Sequence, residues 1–323
     1  MSGAARILIA WELGGNLGHI APLLAVAQAL RDRGHAVVFA LRDLSNADLL
    51  ARSGFAFLPA PQAPAARRPP AYRSFAEMLA GECFPSARAA FVSALAWRSL
   101  FRATRPEVLV ADHAPAALLA ARGTGIRTVL CGVPFSIPPV GRPLPRFAKG
   151  DKASAGAEGK LLSRLNSVLA VLRGPALDTA ADLYRADATA IKWLPELDFF
   201  GPRSRADYVG PMVADAGDSE PAWPRAAGPK LLVYLRPGTH VAPLLAAAGR
   251  CQASVLAYVP KAGTALLAAA RAAGVHLAEA PLRMSALLPQ CDALACHGGN
   301  LSAAALLAGK PLLLHPVLSL IHI

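Results

Sequence analysis

The sequence predicts an α/β protein with two Rossmann-like domains in tandem, each built on a parallel sheet. Short apolar segments alternate with helical patterns, as strands and helices do around parallel sheets. The alternation stops in a stretch rich in proline and glycine at 214–229, and then it starts again. The 323 residues are enough for two domains. We therefore expect a first domain at 1–213, a linker at 214–229 and a second domain at 230–323.

The first domain opens with an apolar strand at Arg6–Trp11, which a glycine-rich turn joins to a helix at Ile20–Arg33. That helix has apolar residues at helical spacing and stops at Gly34. The next segments are predicted strands and short helices: Ala36–Leu41, Ala47–Ser53, Phe55–Leu58, Val108–Ala111, Pro115–Arg122 and Arg127–Cys131. Proline-rich stretches at 59–70 and 134–145 predict loops where the chain leaves strands.

The second domain repeats the pattern. Its predicted strands are Lys230–Leu235, Ala253–Val259, Val275–Ala278, Cys291–Cys296 and Pro311–Leu314. Its predicted helices are Val241–Ala248, Thr264–Ala273 and Leu301–Ala308. Because doubly wound domains usually have about 100–150 residues, we expect this second domain to be incomplete.

The composition excludes a disordered chain and argues against a nucleic-acid partner. Hydrophobic residues make up 54%, and 33 basic against 21 acidic residues give a net charge of +12. The basic residues are scattered, with Arg67 and Arg68 as the densest pair, and no stretch interleaves them with aromatic residues. A basic surface suits anionic small ligands such as nucleotide diphosphates, and it leaves peripheral contact with an acidic membrane open.

The location indicated by the sequence is the cytoplasm. The apolar run at Met1–Trp11 is too short for the core of a signal peptide. Charged residues or prolines interrupt every apolar run before about 18 residues, the length of a membrane span.

The first glycine-rich turn, Gly14–His19, is not a dinucleotide-binding fingerprint. No placement of G-x-G-x-x-G fits it, and Asp43 after the second strand follows a basic residue. A dehydrogenase is therefore disfavoured. In this turn, Gly15 and Gly18 would let a substrate approach the backbone closely on the acceptor side.

The turn presents His19 at a helix N-terminus, where the helix dipole disfavours its protonated form. A nearby carboxylate would orient the ring, so that the neutral imidazole can accept a proton. Asp112 ends a later strand, and parallel strands bring their carboxyl ends to one edge of the sheet. A catalytic pair of His19 and Asp112 is therefore one interpretation; a structural histidine is the other.

A second glycine-rich turn follows the strand at Cys291–Cys296 and opens a helix. Gly298, Gly299 and Ser302 would offer backbone N–H groups and a hydroxyl at the positive helix end, and His297 adds another donor. This pattern is typical of a phosphate cradle, although an ordinary helix cap would look similar.

With these motifs, the chain resembles the UDP-glycosyltransferase-like enzymes of the GT-B fold, close to bacterial glycosyltransferases that act on lipids or natural products. Gly18–Leu24 matches the G-H-x-x-P stretch of that family, and Leu30–Val37 matches its L-x-x-x-G-H-x-V continuation. Leu287–Pro316 is similar to its donor-binding signature: a leucine–proline turn, an aspartate, H-G-G, a serine, and an alanine- and leucine-rich helix that ends in G-x-P.

The resemblance implies an inverting transfer of a hexose from a nucleotide-diphosphate sugar to a hydroxyl group. His19 matches the base that deprotonates the acceptor, and Asp112 matches its partner. The positions that match the groups binding the donor diphosphate are His297, Gly298, Gly299, Ser302, Gly238 and Thr239. No D-x-D occurs in the sequence, which fits a reaction without a metal and with no cofactor besides the donor.

Two departures bear on these expectations. Ala305 stands where the family has a glutamate that contacts the ribose. The acidic–Gln pair and later helices expected after Pro316 are not in this sequence, so we expect a C-terminally truncated chain that turns over poorly. One codon reading of Leu318–Ile323 matches the transposase end sequence used to prepare DNA libraries, which suggests that the native chain departs at Leu318.

Two other functions remain open at this point. A sugar-nucleotide epimerase has the same fold, but it should carry a cluster of carboxylates near the donor sugar, and none stands out. A non-catalytic sugar-nucleotide-binding protein is weakly favoured by Ala305 and disfavoured by the His19 and Asp112 pair.

Overall fold

The computed structural model describes the whole chain except residues 1–2, 15–16, 63–71, 148–154, 202, 204–206, 213–214, 216, 225–226 and 316–323. The chain divides into two compact units, Met1–Gly210 and Pro211–Val317. Each unit has a parallel sheet with helices, so the predicted α/β class with two Rossmann-like domains is confirmed.

The first unit contains a seven-stranded sheet in the order β3-β2-β1-β4-β5-β6-β7. Its strands are β1 Arg6–Trp11, β2 Ala36–Leu41, β3 Ala56–Pro59, β4 Val108–Asp112, β5 Arg127–Gly132, β6 Ala188–Ile191 and β7 Asp207–Tyr208. Every adjacent pair is parallel. The strand order reverses between β1 and β4, and ligands of open α/β sheets bind at the carboxyl ends of strands at such a reversal.

Helices cover both faces of this sheet. They are α1 Leu17–Asp32, α2 Asp48–Arg52, α3 Phe75–Glu82, α4 Ala87–Thr104, α5 Pro115–Ala121 and α6 Ala155–Leu172. Alternate residues of β1 belong to different cores: Leu8 and Ala10 pack with residues of α3 to α6, whereas Ile7, Ile9 and Trp11 pack with α1 and α2. Burial on both faces explains why this strand is apolar after its exposed first residue, Arg6.

The structure differs from the predicted elements of the first unit in three respects. The sequence pattern did not indicate strands β6 and β7. α1 begins at Leu17 rather than Ile20, and it accommodates Pro22 inside the helix. The helices α3, α4 and α6 were not indicated by the sequence pattern. In α4, several of the buried positions are alanines or a serine, so the contrast between its buried and exposed faces is weak.

The second unit contains a five-stranded sheet in the order β10-β9-β8-β11-β12. Its strands are β8 Lys230–Tyr234, β9 Ser254–Tyr258, β10 His276–Ala278, β11 Ala293–Cys296 and β12 Leu312–Leu314, and its helices are α7 Val241–Arg250, α8 Thr264–Ala272, α9 Met284–Gln290 and α10 Asn300–Leu307. The order reverses between β8 and β11. In the described part of the chain, no helix combines the length and the apolarity needed to cross a bilayer.

Residues of the expected linker 214–229 contact α9 of the second unit. Asp215 accepts a hydrogen bond from the Ser285 backbone N–H at 2.8 Å, and Trp223 donates to Gln290 at 3.1 Å. The expected leucine–proline turn is helical instead: α9 includes Pro289, which has no N–H to donate to the carbonyl four residues earlier.

Candidate functional site

The reversal point of the first sheet brings together the residues that leave β1 and β4. Trp11 pairs with Asp112 in the parallel register, and the Leu13 backbone N–H donates to the His113 carbonyl at 3.0 Å. Both strands therefore end at the same level. The first turn of α1, which contains His19, begins a few residues later at this edge.

The structure places the imidazole of His19 against the carboxylate of Asp112. The Nδ1 atom of His19 lies 3.2 Å from Oδ2 of Asp112; the two side chains are 19% and 2% exposed. One face of the histidine ring stacks on Trp11, with ring centroids 5.2 Å apart and an interplanar angle of 18°. Because a carboxylate only accepts hydrogen bonds, the neutral ring carries its proton on Nδ1, and Nε2 is left to accept one.

Gly14 approaches the other nitrogen of this ring. Its φ is +96°, and a Cβ at this position would overlap Nε2 of His19. The glycines predicted to matter on the acceptor side were Gly15 and Gly18 instead. Gly15 lies outside the described residues, and a Cβ on Gly18 would meet nothing within 4 Å. Of the described glycines in this turn, Gly14 is therefore the one at which a side chain would collide with His19.

Lys192 is a third member of the cluster that sequence reasoning missed. It directly follows β6, and its backbone N–H donates to the Gly132 carbonyl at 2.8 Å. Its Nζ lies 3.2 Å from the same Oδ2 atom of Asp112, and its side chain is 2% exposed. In the sequence, a lone lysine between two apolar residues could have drawn attention to Lys192. Because β6 was not predicted, nothing indicated that this lysine lies at the edge of the sheet.

Asp112 and Lys192 form a buried ion pair. Burial alone would raise the pKa of Asp112, but the charge of Lys192 and the interactions with His19 outweigh it and hold that pKa well below its usual range. Burial alone would lower the pKa of Lys192, and Asp112 raises it above its ordinary value. Near neutral pH the carboxylate is therefore ionised and the amine is an ammonium.

Two further titratable groups at this edge are neutral. Glu12 accepts hydrogen bonds at 2.8 Å from the backbone N–H groups of Ala116 and Ala117 at the start of α5. Burial nevertheless raises the pKa of Glu12 to about 8. Burial also lowers the pKa of His113 to about 3. The ion pair of Asp112 and Lys192 thus lies beside two titratable groups that are neutral near pH 7.

The predicted diphosphate site lies at the reversal point of the second sheet. Cys296 pairs with Tyr234 of β8, so the residues after β8 and β11 emerge together. Gly298 and Gly299 have φ values of +98° and +79°, which favour glycine, and Gly299 is the N-cap of α10 without a side chain to cap it. The turn thus leads into an eight-residue helix, whose first N–H groups lack partners within the helix.

The side chains predicted for this turn are partly engaged within the protein. The His297 ring lies 5.7 Å from the Tyr234 ring; burial and then Arg236 lower its pKa to about 4, so it is neutral near pH 7. Its Nδ1 atom is buried and has no hydrogen-bond partner among the described residues. The Ser302 hydroxyl donates to the Gly299 carbonyl at 2.7 Å.

Gly238 and Thr239 are exposed between β8 and α7, at the same edge. The next residue, His240, lies with its ring centroid 4.5 Å from that of His315, which follows β12. Sequence analysis did not single out these two histidines, although each follows a strand that ends at this edge. In the described ranges, no group of three or more His, Cys, Asp or Glu side chains is arranged to hold a metal ion.

No protein-family profile matches the sequence, and no curated protein does. Solved structures are similar to it. The glycosyltransferase SnogD from Streptomyces nogalater has a TM-score of 0.66 and 21% identity, covering 97% of this chain and 82% of SnogD.

Two complexes are also similar. For the spinosyn rhamnosyltransferase SpnG with spinosyn aglycone, the TM-score is 0.60 with 18% identity, covering 96% of this chain and 80% of that one. For the glycosyltransferase SsfS6 of Streptomyces sp. SF2575 with thymidine diphosphate, the values are 0.58 and 20%, covering 98% and 83%. At these identities the likeness shows a shared fold, the two Rossmann-like domains called GT-B.

Proposed function

We propose that this chain, which has the GT-B fold, is an inverting glycosyltransferase. It would transfer a hexose from a nucleoside-diphosphate sugar, a UDP-sugar in the first instance, to a hydroxyl group of a small-molecule or lipid acceptor. The main support is the contact between His19 and Asp112 at the reversal point of the first sheet. The similar structures are glycosyltransferases by their descriptions, which supports sugar transfer as the general activity.

In this proposal, Nε2 of His19 takes the proton of the acceptor hydroxyl as the oxygen attacks the anomeric carbon. A bond forms between that oxygen and the carbon, the bond to the diphosphate breaks, and the configuration inverts. The positive charge that develops on the imidazole is stabilised by Asp112 at 3.2 Å. Asp112 also keeps the other ring proton on Nδ1, so Nε2 is the basic atom.

The second unit would bind the donor. The N-terminus of α10 carries a partial positive charge, and Gly298 and Gly299 let a diphosphate approach its backbone N–H groups. Neutral His297, together with Gly238 and Thr239, would add contacts, and Ser302 would turn its hydroxyl from the Gly299 carbonyl to an oxygen of the diphosphate. These donors stabilise the leaving charge without a metal.

The nucleotide of the donor needs its own test. The resemblance to UDP-glycosyltransferases implies a glutamate at position 305, but Ala305 is buried in the core of the second unit. Groups other than this side chain must therefore contact the ribose. SsfS6 was solved with thymidine diphosphate, so dTDP-sugars belong in the same screen as UDP-sugars.

The proposal is tested with UDP- and dTDP-hexoses against a panel of hydroxylated acceptors, with products detected by mass spectrometry. The His19→Ala variant should lose transfer while binding UDP as the wild type does in calorimetry. His276→Ala, which changes an exposed histidine of β10, is the matched control and should retain both properties.

Three results contradict the proposal. An unchanged transfer rate in His19→Ala refutes the assigned base. Conversion of the donor sugar without an acceptor indicates an epimerase. Binding of UDP without transfer of any sugar indicates a non-catalytic binding protein.

A further inference from the structure

Two nitrogen atoms from different side chains contact one carboxylate oxygen in the first unit. Oδ2 of Asp112 lies 3.2 Å from Nδ1 of His19 and 3.2 Å from Nζ of Lys192. We propose that Lys192 is a positioning residue for the His19–Asp112 pair, which keeps Asp112 ionised and fixes the oxygen that faces the histidine. This inference rests on the proposed function for its catalytic consequence, but the geometry and the ionisation can be measured without it.

The carboxylate has few other partners. Its second oxygen, Oδ1, is buried and has no hydrogen-bond partner among the described residues. A Cβ added to Gly132 would come within 3.2 Å of that oxygen, so β5 passes close to it without supplying a side chain. The nearby Ser136 hydroxyl donates to the Val133 carbonyl instead. The hydrogen bonds that hold the carboxylate in the described structure thus all involve Oδ2.

The charge of Lys192 is not duplicated by the groups around the pair. Burial raises the pKa of the Cys131 thiol, so this neighbour on β5 is neutral near pH 7. Burial lowers the pKa of His113 and raises that of Glu12, so His113 is neutral and Glu12 is largely protonated near pH 7. Arg42 interacts electrostatically with Glu12 and His113, and its Nη1 donates to the Glu12 carbonyl at 3.0 Å.

Without Lys192, Asp112 would be a nearly fully buried carboxylate whose one remaining partner is a histidine. Burial of a carboxyl group without a counter-charge raises its pKa by up to about 3–5 units, and Glu12 at the same edge shows this effect, with a pKa of about 8. Loss of the ammonium should therefore let Asp112 take up a proton in the neutral range. A protonated Asp112 can donate to His19 Nδ1, which would move the ring proton to Nε2 and remove the base.

The test uses the full chain with ¹³C-labelled aspartate and ¹⁵N-labelled histidine, and Asp112→Asn identifies the Asp112 carboxyl signal. In the wild type, this signal should stay at its carboxylate position between about pH 5 and pH 9. In Lys192→Met it should titrate within that window, and the His19 signals should show the Nδ1-protonated ring only at the alkaline end. Lys192→Arg should restore the wild-type behaviour because it keeps the charge.

The pH dependence of sugar transfer is a second test of the role of Lys192. Transfer by Lys192→Met should be lost at the acid end of the window and recovered at the alkaline end. Lys160→Met, at an exposed lysine of α6, is the matched control and should keep the wild-type pH profile. If no donor and acceptor support transfer, the proposed function fails, and the spectra still decide the role of Lys192.

Two results overturn the inference. One is a Lys192→Met protein in which Asp112 stays ionised and the His19 ring proton stays on Nδ1 throughout the window, since the lysine is then only structural. The other is a wild-type protein in which Asp112 is protonated near pH 6. The second measurement does not depend on the Lys192→Met variant, so the inference can be overturned even if that variant does not fold.

Discussion

His19 Nδ1 and Asp112 Oδ2 lie 3.2 Å apart although 93 residues separate them in the sequence. The contact depends on the strand order of the first sheet, in which β4 inserts beside β1 and ends at the same level. It also depends on Gly14, which leaves space for the ring, and on Trp11, which supports one face of it. The imidazole is thereby held in one orientation by contacts on three sides.

Asp112→Asn should impair both transfer and folding. The amide cannot stabilise a positive imidazole as a carboxylate does, so we expect transfer to fall by about 10²-fold or more. The variant also leaves the ammonium of Lys192 buried without a counter-charge, which should lower the free energy of unfolding by about 3–5 kcal/mol. Steady-state kinetics and chemical denaturation measure the two effects separately.

The stability effect can be assigned to the buried pair by comparison. Asp48→Asn removes a carboxylate from an exposed ion pair with Arg52 and should cost less than about 0.5 kcal/mol. The double variant Asp112→Asn with Lys192→Met should be more stable than Asp112→Asn alone, because no buried charge is left unpaired. Equal stability of the single and double variants would contradict a coupled pair.

Gly14→Ala should reduce both transfer and stability. The added Cβ would overlap Nε2 of His19, and the backbone at φ +96° disfavours a residue with a side chain by about 1–2 kcal/mol. The ring must move away from Asp112, so kcat should fall by at least about tenfold, as expected for a displaced base. Gly159→Ala in α6 is the control, since a Cβ there meets nothing within 4 Å and should stabilise the helix by about 0.5–1 kcal/mol. Wild-type kcat in Gly14→Ala would show that the ring tolerates the displacement.

The sequence allowed the two sheets and the contact between His19 and Asp112 to be predicted. Apolar strands such as β1 and β4 stand out against the helices between them, and the rule that parallel strands end at one edge brings Asp112 to the glycine turn. The catalytic roles of both residues stay predictions.

Other parts of the site were not predictable in this way. Lys192 is placed by β6, which is only four residues long and was not recognised, so its position at the sheet edge had no basis in the pattern. Gly14 could not be distinguished from its neighbouring glycines, because the choice depends on the atom that approaches each one. The pairing of His240 with His315 depends on β12 lying beside β11, and strand order is not visible in local patterns.

His297→Ala should weaken nucleotide binding in the second unit without affecting the first. His297 stays neutral near pH 7 and has one N–H, which in this structure is hydrogen-bonded to the Tyr234 backbone. In the proposed complex this N–H would turn to the diphosphate and contribute a hydrogen bond rather than a charge. Loss of one such hydrogen bond should raise the Kd for UDP by roughly tenfold. Calorimetry with UDP measures this, and the exposed His276→Ala serves as the control. An unchanged Kd would remove His297 from the proposed donor site.

Glu12→Gln should change how stability depends on pH. In the unfolded chain this carboxyl titrates near 4.5, whereas burial raises its pKa to about 8 in the folded protein. Between these values the folded state holds a proton that the unfolded state has released. The stabilising effect is therefore complete below about pH 4.5 and is lost as the pH rises to 8, at roughly 1.4 kcal/mol for each pH unit.

The measurement is best made between about pH 6.5 and pH 8, because His113, with its pKa lowered to about 3, contributes the opposite slope only below this range. Tryptophan fluorescence during denaturation reports mainly on the first unit, which contains Trp11, Trp97 and Trp193 among the four tryptophans. The wild type should lose stability across the window, and Glu12→Gln should show a much flatter dependence. The exposed Glu196→Gln should keep the wild-type slope. Parallel slopes in wild type and Glu12→Gln would mean that Glu12 is already ionised in the folded state, with the N–H groups of Ala116 and Ala117 outweighing its burial.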